Sequence, residues 1–232
     1  MNHCIVVAGG VGSRMNLDIP KQYYCVNGIP VILYSIRKFA FSNLIDSIVI
    51  VLADEWKEYM QECLSKEQYP CKVFYAKAGK SRQHSVWNGL NVINGYALEG
   101  DKVLVHDAVR PLFPTSNIAE GIQACEKYDA ALPVIPVKDA TYQSHDGTEL
   151  SAILPRQELF SGQSPECFVF NKFYQAHTLF SDEELSYIRG CSELAFKAHL
   201  SVKMIPGSEQ NYKLTTIEDL QAFELIINRL CR

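Results

Sequence analysis

The 232-residue sequence has no excess of positive charge and no long apolar run. Its 22 Lys and Arg residues and 26 Asp and Glu residues give a formal net charge of −4, so no global positive field would attract nucleic acid or an anionic membrane. No apolar run approaches the roughly 20 residues of a membrane span, and MNHCIVVAGG does not resemble an export signal. We expect a cytoplasmic protein with no nucleic-acid or membrane partner.

The chain also lacks the common metal and redox motifs. Its 8 cysteines include no CxxC pair, which argues against a zinc site and disulfide-exchange chemistry. We expect them to serve mainly as small buried apolar residues. No internal repeat, low-complexity tract or Pro/Ser-rich linker divides the sequence, and 47% of the residues are hydrophobic. One domain spanning residues 1–232 is therefore expected.

Apolar segments rich in Val and Ile alternate with amphipathic segments. This pattern predicts an α/β fold, with a mostly parallel sheet flanked by helices. The predicted strands are Cys4–Ala8, Ser47–Leu52, Lys72–Tyr75, Lys102–His106, Ala130–Val134 and Val202–Ile205. The predicted helices are Val31–Phe41, Glu55–Leu64, Arg82–Ile93, Asn117–Lys127, Lys172–Thr178, Glu183–His199 and Ile217–Leu230.

Residues 137–164 interrupt this alternation. They read as two strands joined by a tight hairpin turn at Asp146-Gly147. Because a two-stranded arm is only marginally stable alone, we expect it to pack against a second subunit.

The segment VVAGGVGSRMNLDIPKQYY follows the first predicted strand. Gly9, Gly10 and Gly12 would let the backbone approach a phosphate and present N–H donors to it. Arg14 and Lys21 could then clamp linked phosphates, although they could also be solvated surface cations. The Walker A pattern is absent. A dinucleotide-binding GxGxxG pattern fails at Met15, which weakens the case for an oxidoreductase.

The strand end VLVHDAVRP places Asp107 and Arg110 where ligands of open parallel sheets bind. Asp107 is a candidate Mg²⁺ ligand, while Arg110 could equally pair with Asp107 and brace the loop. His106 could act as a base, but a buried hydrogen-bonding role is the better interpretation.

Three further segments carry candidate residues. In AGKSRQHSVWNGL, Gly79 relaxes a turn and Ser81 or Ser85 could hydrogen-bond at the start of a helix. Arg156 lies in the arm. Near the end of the chain, Lys213 precedes Thr216, which is placed to cap the last helix.

The motifs AGGVGSRM, PKQ, HDAVRP, GQSP and NYKLTT, with a segment carrying Gly79, Arg82, Ser85 and Val86, occur in this order. Together they closely resemble the cytidylyltransferases that act on methylerythritol phosphate and ribitol 5-phosphate. The resemblance runs almost from end to end. It implies a Rossmann-like nucleotidyltransferase fold, a homodimer joined by the arm, CTP as co-substrate with Mg²⁺, and release of pyrophosphate.

The resemblance also implies roles for individual residues. The residues expected to act on the CTP phosphates are Arg14, Lys21 and Lys213. The expected nucleotide-binding residues are Ala8, Gly9, Gly10, Gly12, Gly79 and Ser85. The expected residues for the polyol phosphate are Asp107, Arg110, Thr141 and, from the other subunit, Arg156, with Asp107 also close to the metal.

Departures from the family pattern affect the expected substrate. Arg189-Gly190 stands where both branches have a Thr-Asp pair, and Asp139-Ala140, followed by Thr141, replaces an Asp-Thr pair. GQSP is more similar to the ribitol branch, and so is the spacing to YIRGCSE. These features favour ribitol 5-phosphate, with methylerythritol phosphate as the alternative. Arg189 could be an extra contact to the alcohol phosphate. A catalytically silent nucleotide-binding module is a further alternative.

Overall fold

A mostly parallel sheet forms the centre of the computed structural model, which describes residues 1–10 and 19–230. The strands of this 8-stranded sheet are β1 (Asn2–Val7), β4 (Ser47–Leu52), β5 (Lys72–Lys77), β6 (Lys102–Asp107), β7 (Ala130–Pro136), β10 (Phe160–Gly162), β11 (Glu166–Val169) and β12 (Val202–Pro206). Their order is β10-β7-β11-β6-β1-β4-β5, with β12 paired to β7. Two short pairs lie outside it: β2 (Cys25–Val26) with β3 (Ile29–Pro30), and β8 (Thr141–Gln143) with β9 (Ala152–Leu154).

Helices cover both faces of the sheet. They are α1 (Val31–Ala40), α2 (Lys57–Ser65), α3 (Arg82–Asn94), α4 (Ser116–Ala124), α5 (Phe170–Thr178), α6 (Asp182–Tyr187), α7 (Cys191–Lys197) and α8 (Ile217–Leu230). One core cluster packs residues of α1 and α2 against the sheet, and a second packs residues of α3, α5 and α7 against the opposite face. Every residue of β4 is buried, as expected for a strand with both faces covered.

The pairing of the strands confirms the predicted parallel core. β1 lies between β4 and β6 and runs parallel to both, and β4 pairs in parallel with β5. The six predicted strands are all present, with ends that differ by at most two residues. β10 lies within the predicted arm, residues 137–164, and β11 was missed by the sequence pattern; both strands are antiparallel to their neighbours. β11 is short and follows the arm rather than an α-helix.

The predicted helix Glu183–His199 is wrong, because the chain forms two helices there. Ser181 caps α6 in a reciprocal arrangement with Glu184, and α6 ends at Tyr187. Gly190 then takes an extended conformation, with φ −141° and ψ 157°, before α7 begins. Ile188, between the two helices, is buried. Burial of Ile188 and the extended Gly190 therefore override the local helical preference. The other predicted helices are present with small shifts at their ends.

The arm also differs from its prediction at the tip. Gln143 pairs with Ala152, so residues 144–151 form a loop rather than a tight two-residue turn. The Asp146 carboxylate accepts hydrogen bonds from the backbone N–H groups of Thr148 at 2.8 Å and Glu149 at 3.0 Å, and Gly147 has φ +78°. The side chain of Asp146 thus organises a wider loop.

Two smaller predictions are confirmed. The described cysteines are free, and four of them are buried: Cys4, Cys125, Cys167 and Cys191. Cys25, in contrast, is exposed. Thr216 and Asp219 cap α8 reciprocally, since each side chain accepts a hydrogen bond from the backbone N–H of the other.

Within residues 1–10 and 19–230, no helix has the length and apolar character needed to cross a membrane.

His106 belongs to the core, as its position in β6 indicated. It is fully buried, its Nε2 lies 3.2 Å from Ser35 Oγ, and its Nδ1 lies 3.0 Å from Ser164 Oγ. Burial lowers the pKa of His106 to about 3. The folded protein therefore keeps this imidazole neutral at pH values where the unfolded chain, with a histidine pKa of about 6.5, becomes protonated.

This difference predicts acid destabilisation through His106. As pH falls from about 6.5 towards 3, the unfolded state binds a proton that the folded state does not, so the free energy of unfolding falls by up to about 1.4 kcal/mol per pH unit. Urea unfolding at several pH values in this window should give a shallower pH dependence for His106→Gln than for the wild type. His145→Gln, at an exposed arm position, is the control. Equal slopes for wild type and His106→Gln would contradict the prediction.

Candidate active site

A cavity of about 530 Å³ lies at the carboxyl ends of β1 and β6. This is where ligands of open α/β sheets bind. It brings together residues from distant parts of the sequence, and many of the predicted site residues are among them. The predicted residues that line it are Ala8, Gly9, Gly10, Lys21, Gly79, Ser85, Asp107 and Lys213. Gly12 and Arg14 lie outside the described residues, so their roles stay predictions.

Two glycines are required by close packing around this cavity. A Cβ on Gly9 would lie 2.5 Å from Ala78 Cβ, and a Cβ on Gly79 would lie 2.4 Å from His84 Cβ. The Gly79 N–H also donates to Ser85 Oγ at 3.0 Å. These glycines therefore let the β1 and β5 loops and the start of α3 approach one another, in addition to any contact with a ligand.

Lys21 is held by a segment that packs firmly against the body of the protein. It begins a short 3₁₀ helix, and its neighbour Gln22 donates from Nε2 to the carbonyl oxygens of Ala8 and Gly10, both at 2.7 Å. Tyr23 is buried and stacks on Trp56 with ring centroids 4.3 Å apart. Sequence reasoning did not assign a role to Gln22. The structure identifies it as the residue that joins the glycine segment to the Lys21 segment.

Asp107 is the centre of a charged cluster. Its Oδ1 lies 3.0 Å from Arg82 Nε, and its Oδ2 lies 2.9 Å from Lys213 Nζ and 3.8 Å from Arg110 Nε. Burial alone would raise the pKa of the Asp107 carboxyl, but Arg82, Lys213 and Arg110 hold it well below its usual range. Asp107 is therefore ionised and cannot act as a general acid near neutral pH.

Arg82 extends this cluster to two other elements. Its Nη1 lies 3.0 Å from Cys191 Sγ in α7, and its Nη2 lies 3.4 Å from Glu166 Oε1 in β11. Glu166 Oε2 accepts a hydrogen bond from Ser192 N–H at 2.8 Å. In the sequence, Arg82 stood out only as part of a motif, and Glu166 did not stand out at all. The sequence signal for Arg82 was its position shortly after Gly79, at the start of a predicted helix. Glu166 carried no such signal, because its strand was not predicted.

A second cavity of about 170 Å³ adjoins the first. Arg82, Asp107 and Lys213 line both cavities, and Arg110, Glu166 and Arg189 line only the second. Arg110 is fixed by a 2.6 Å hydrogen bond from Nη1 to the Asn211 carbonyl oxygen as well as by its contact with Asp107. Arg110 therefore braces the loop and also lines a cavity, while its contact with a substrate stays a prediction.

Two predicted substrate-binding residues lie apart from both cavities. Thr141, in β8, directs its hydroxyl to the Asp139 carbonyl oxygen at 3.4 Å. Arg156 is exposed and donates to the Lys138 carbonyl oxygen at 2.9 Å. Within the described chain, neither residue lines the cavities around Asp107. Their substrate-binding roles stay predictions.

Known proteins match this chain over almost its whole length. Residues 2–229 match the family model "IspD: 2-C-methyl-D-erythritol 4-phosphate cytidylyltransferase". Proteins of that name from Clostridium kluyveri and Clostridium botulinum are 34% identical over 221 residues and 36% identical over 231 residues. These alignments cover 94% of this chain and 93% of the first relative, and 99% of this chain and 100% of the second.

A solved structure supports the same fold. The 4-diphosphocytidyl-2C-methyl-D-erythritol synthase of Anaerococcus prevotii superposes with a TM-score of 0.82 at 23% identity, covering 98% of this chain and 96% of that protein. The Rossmann-like nucleotidyltransferase fold expected from the sequence is thereby confirmed. Taken with the match over residues 2–229, this chain belongs to the IspD family and is a nucleotidyltransferase of the cytidylyltransferase type.

Proposed function

We propose that the protein transfers the CMP group of CTP to 2-C-methyl-D-erythritol 4-phosphate and releases pyrophosphate. The pair of adjoining cavities carries this proposal, because a reaction between two phosphorylated substrates needs two sites that meet. The family model and the relatives' names favour methylerythritol phosphate as the acceptor. Neither the family model nor these names support ribitol 5-phosphate, the acceptor expected from GQSP and its spacing.

The larger cavity is assigned to CTP. Its volume of about 530 Å³ lies within the range of ordinary ligand pockets. Lys21 and Lys213 line it and would neutralise the triphosphate, with Arg14 as a predicted third cation. Ala8, Gly79 and Ser85 line the same cavity and are proposed to contact cytosine and ribose, while Gly9 and Gly10 lie near the phosphates.

The second cavity is assigned to the acceptor. A phosphate oxygen of the acceptor attacks the α-phosphorus of CTP, the new P–O bond forms, and the bond to the β-phosphate oxygen breaks to release pyrophosphate. Since the attacking phosphate is already anionic, no general base is required, and alignment and charge neutralisation supply the catalysis. Arg110 and Lys213 are placed to hold the acceptor, and Lys213, which lines both cavities, would contact both substrates.

The side chains around Asp107 do not make a metal site by themselves. Among the described residues, no group of three or more His, Cys, Asp or Glu could hold a metal ion. Both Asp107 oxygens already contact cations, Arg82 on one and Lys213 on the other. This arrangement does not fit a protein-held Mg²⁺, and any divalent ion would depend mainly on phosphate oxygens. No catalytic step is assigned to a metal here, and the Asp107–Mg²⁺ contact stays a prediction.

We also propose a homodimer through the arm, residues 137–164. Four large apolar side chains are exposed in this segment: Tyr142, Leu150, Ile153 and Phe160. A cluster of exposed apolar residues on a small β-structure is typical of a protein interface. Such an interface would bring Arg156 and Thr141 of one subunit to the acceptor site of the other.

The proposed function is tested by turnover. Purified protein is incubated with CTP, a divalent cation and one acceptor at a time, and pyrophosphate release is measured. We expect turnover with 2-C-methyl-D-erythritol 4-phosphate and much slower turnover with ribitol 5-phosphate. The reverse order would restore the ribitol assignment. CTP binding by calorimetry without pyrophosphate from either acceptor would instead support a silent nucleotide-binding module.

Removing the charge of Lys21 should slow the reaction. In Lys21→Met the aliphatic stem is kept, which limits the packing defect at a side chain that is largely buried. Loss of one preorganised cation should lower kcat about 100-fold, which corresponds to about 3 kcal/mol of transition-state stabilisation. Steady-state kinetics measure this effect, with the exposed Lys57→Met as control. A kcat near that of wild type would refute the role of Lys21.

Sharing of Arg156 between subunits can be tested with hybrid dimers. Arg156→Ala should raise the KM for the acceptor while leaving the KM for CTP almost unchanged. In a heterodimer of Lys21→Met and Arg156→Ala subunits, one site regains both Lys21 and the partner's arginine. At an acceptor concentration below the wild-type KM, where the Arg156→Ala homodimer is slow, about half of the wild-type activity should therefore return in heterodimers purified through two different tags. Absence of any recovery would argue that the sites are not shared.

A further inference from the structure

We infer that Arg189 is a further binding residue for the phosphorylated acceptor, supplied by the same subunit that binds CTP. This inference rests on the proposed function, because it concerns the occupant of the second cavity. Arg189 lines that cavity and not the larger one. It would therefore contact the acceptor and not the nucleotide.

The backbone around Arg189 is fixed at several points. Ile188 is buried, and its N–H donates to the Glu184 carbonyl oxygen at 3.2 Å. The Arg189 N–H donates to Glu193 Oε2 at 2.9 Å. Two residues later, Cys191 is buried against Arg82. The break between α6 and α7 is thus rigidly attached to the residues that line the cavity, so Arg189 is held at its edge.

The guanidinium of Arg189 is available to a ligand. Among the described residues it makes no hydrogen bond or ion pair, and it is exposed. The nearest carboxylate is Glu193, whose Oε2 accepts the Arg189 backbone N–H and whose Oε1 lies 3.1 Å from Lys197 Nζ. The charge of Arg189 helps to hold the pKa of Glu193 below its usual value, but the two side chains form no direct ion pair.

The charges around the second cavity favour an anion. Its lining has four cationic side chains and two carboxylates, a formal balance of +2. They are Arg82, Arg110, Arg189, Lys213, Asp107 and Glu166. Both carboxylates already have partners. Asp107 forms ion pairs with Arg82 and Lys213. Glu166 forms an ion pair with Arg82 and accepts a hydrogen bond from the Ser192 N–H. Arg189 adds a planar fork of donors that suits a phosphate group.

The test is the acceptor KM of two Arg189 variants. Arg189→Gln removes the charge, and Arg189→Lys keeps it but loses the fork. With the acceptor that the wild-type enzyme turns over, we expect the acceptor KM to rise about tenfold in Arg189→Gln and by a smaller factor in Arg189→Lys. The KM for CTP and kcat should stay within about twofold of wild type. Arg229→Gln, at an exposed position of α8 that lines neither cavity, should behave as wild type.

The dependence on ionic strength provides a second measurement. Added salt should raise the acceptor KM of the wild type more steeply than that of Arg189→Gln, because one charge contact has been removed.

An acceptor KM in Arg189→Gln equal to that of wild type, or an equal rise in the KM for CTP, would overturn the inference while leaving the proposed function intact. Absence of turnover with either acceptor would refute the proposed function and this inference with it.

Discussion

The charged cluster around Asp107 is the interaction on which the candidate site depends. One carboxylate, whose side chain is only 13% exposed, faces Arg82, Lys213 and Arg110, which come from α3, the segment before α8 and the loop after β6. Removing one member of such a cluster leaves buried charges uncompensated, which typically costs several kcal/mol. The cluster therefore fixes the relative positions of three separate chain segments. It also keeps the cations close together, where their mutual repulsion would otherwise drive them apart.

The mixed character of the sheet explains why two cavities meet at Asp107. The parallel strands β1 and β6 end at the larger cavity, as in other open α/β sheets. The antiparallel strands β10 and β11 bring Gly162 and Glu166 to the other side of Asp107, where they line the second cavity. An all-parallel sheet would provide the first site alone. The return of the chain from the arm is thus part of the construction of the second site.

The alternation of side chains along β6 separates structural from functional roles. His106 points into the core, where it is fully buried between Ser35 and Ser164. The next residue, Asp107, faces the cavities. Because successive side chains of a strand point to opposite faces, one strand can anchor the core and supply the centre of the site in adjacent positions. His106 is thus enclosed in the core, while its neighbour Asp107 lines the cavities.

The sequence by itself determined the parallel core, most helices and the family. The Val- and Ile-rich apolar segments and the cap at Thr216 are local signals. The ordered motifs contain Gly79, Asp107 and Lys213, which line one cavity in the structure. Tertiary structure alone decided the break at Gly190, the antiparallel β11 and the Arg82–Glu166–Ser192 connection. These features depend on contacts between residues far apart in the chain. No local pattern encodes such contacts, because their energy comes from burial and charge pairing that exist only once the segments meet.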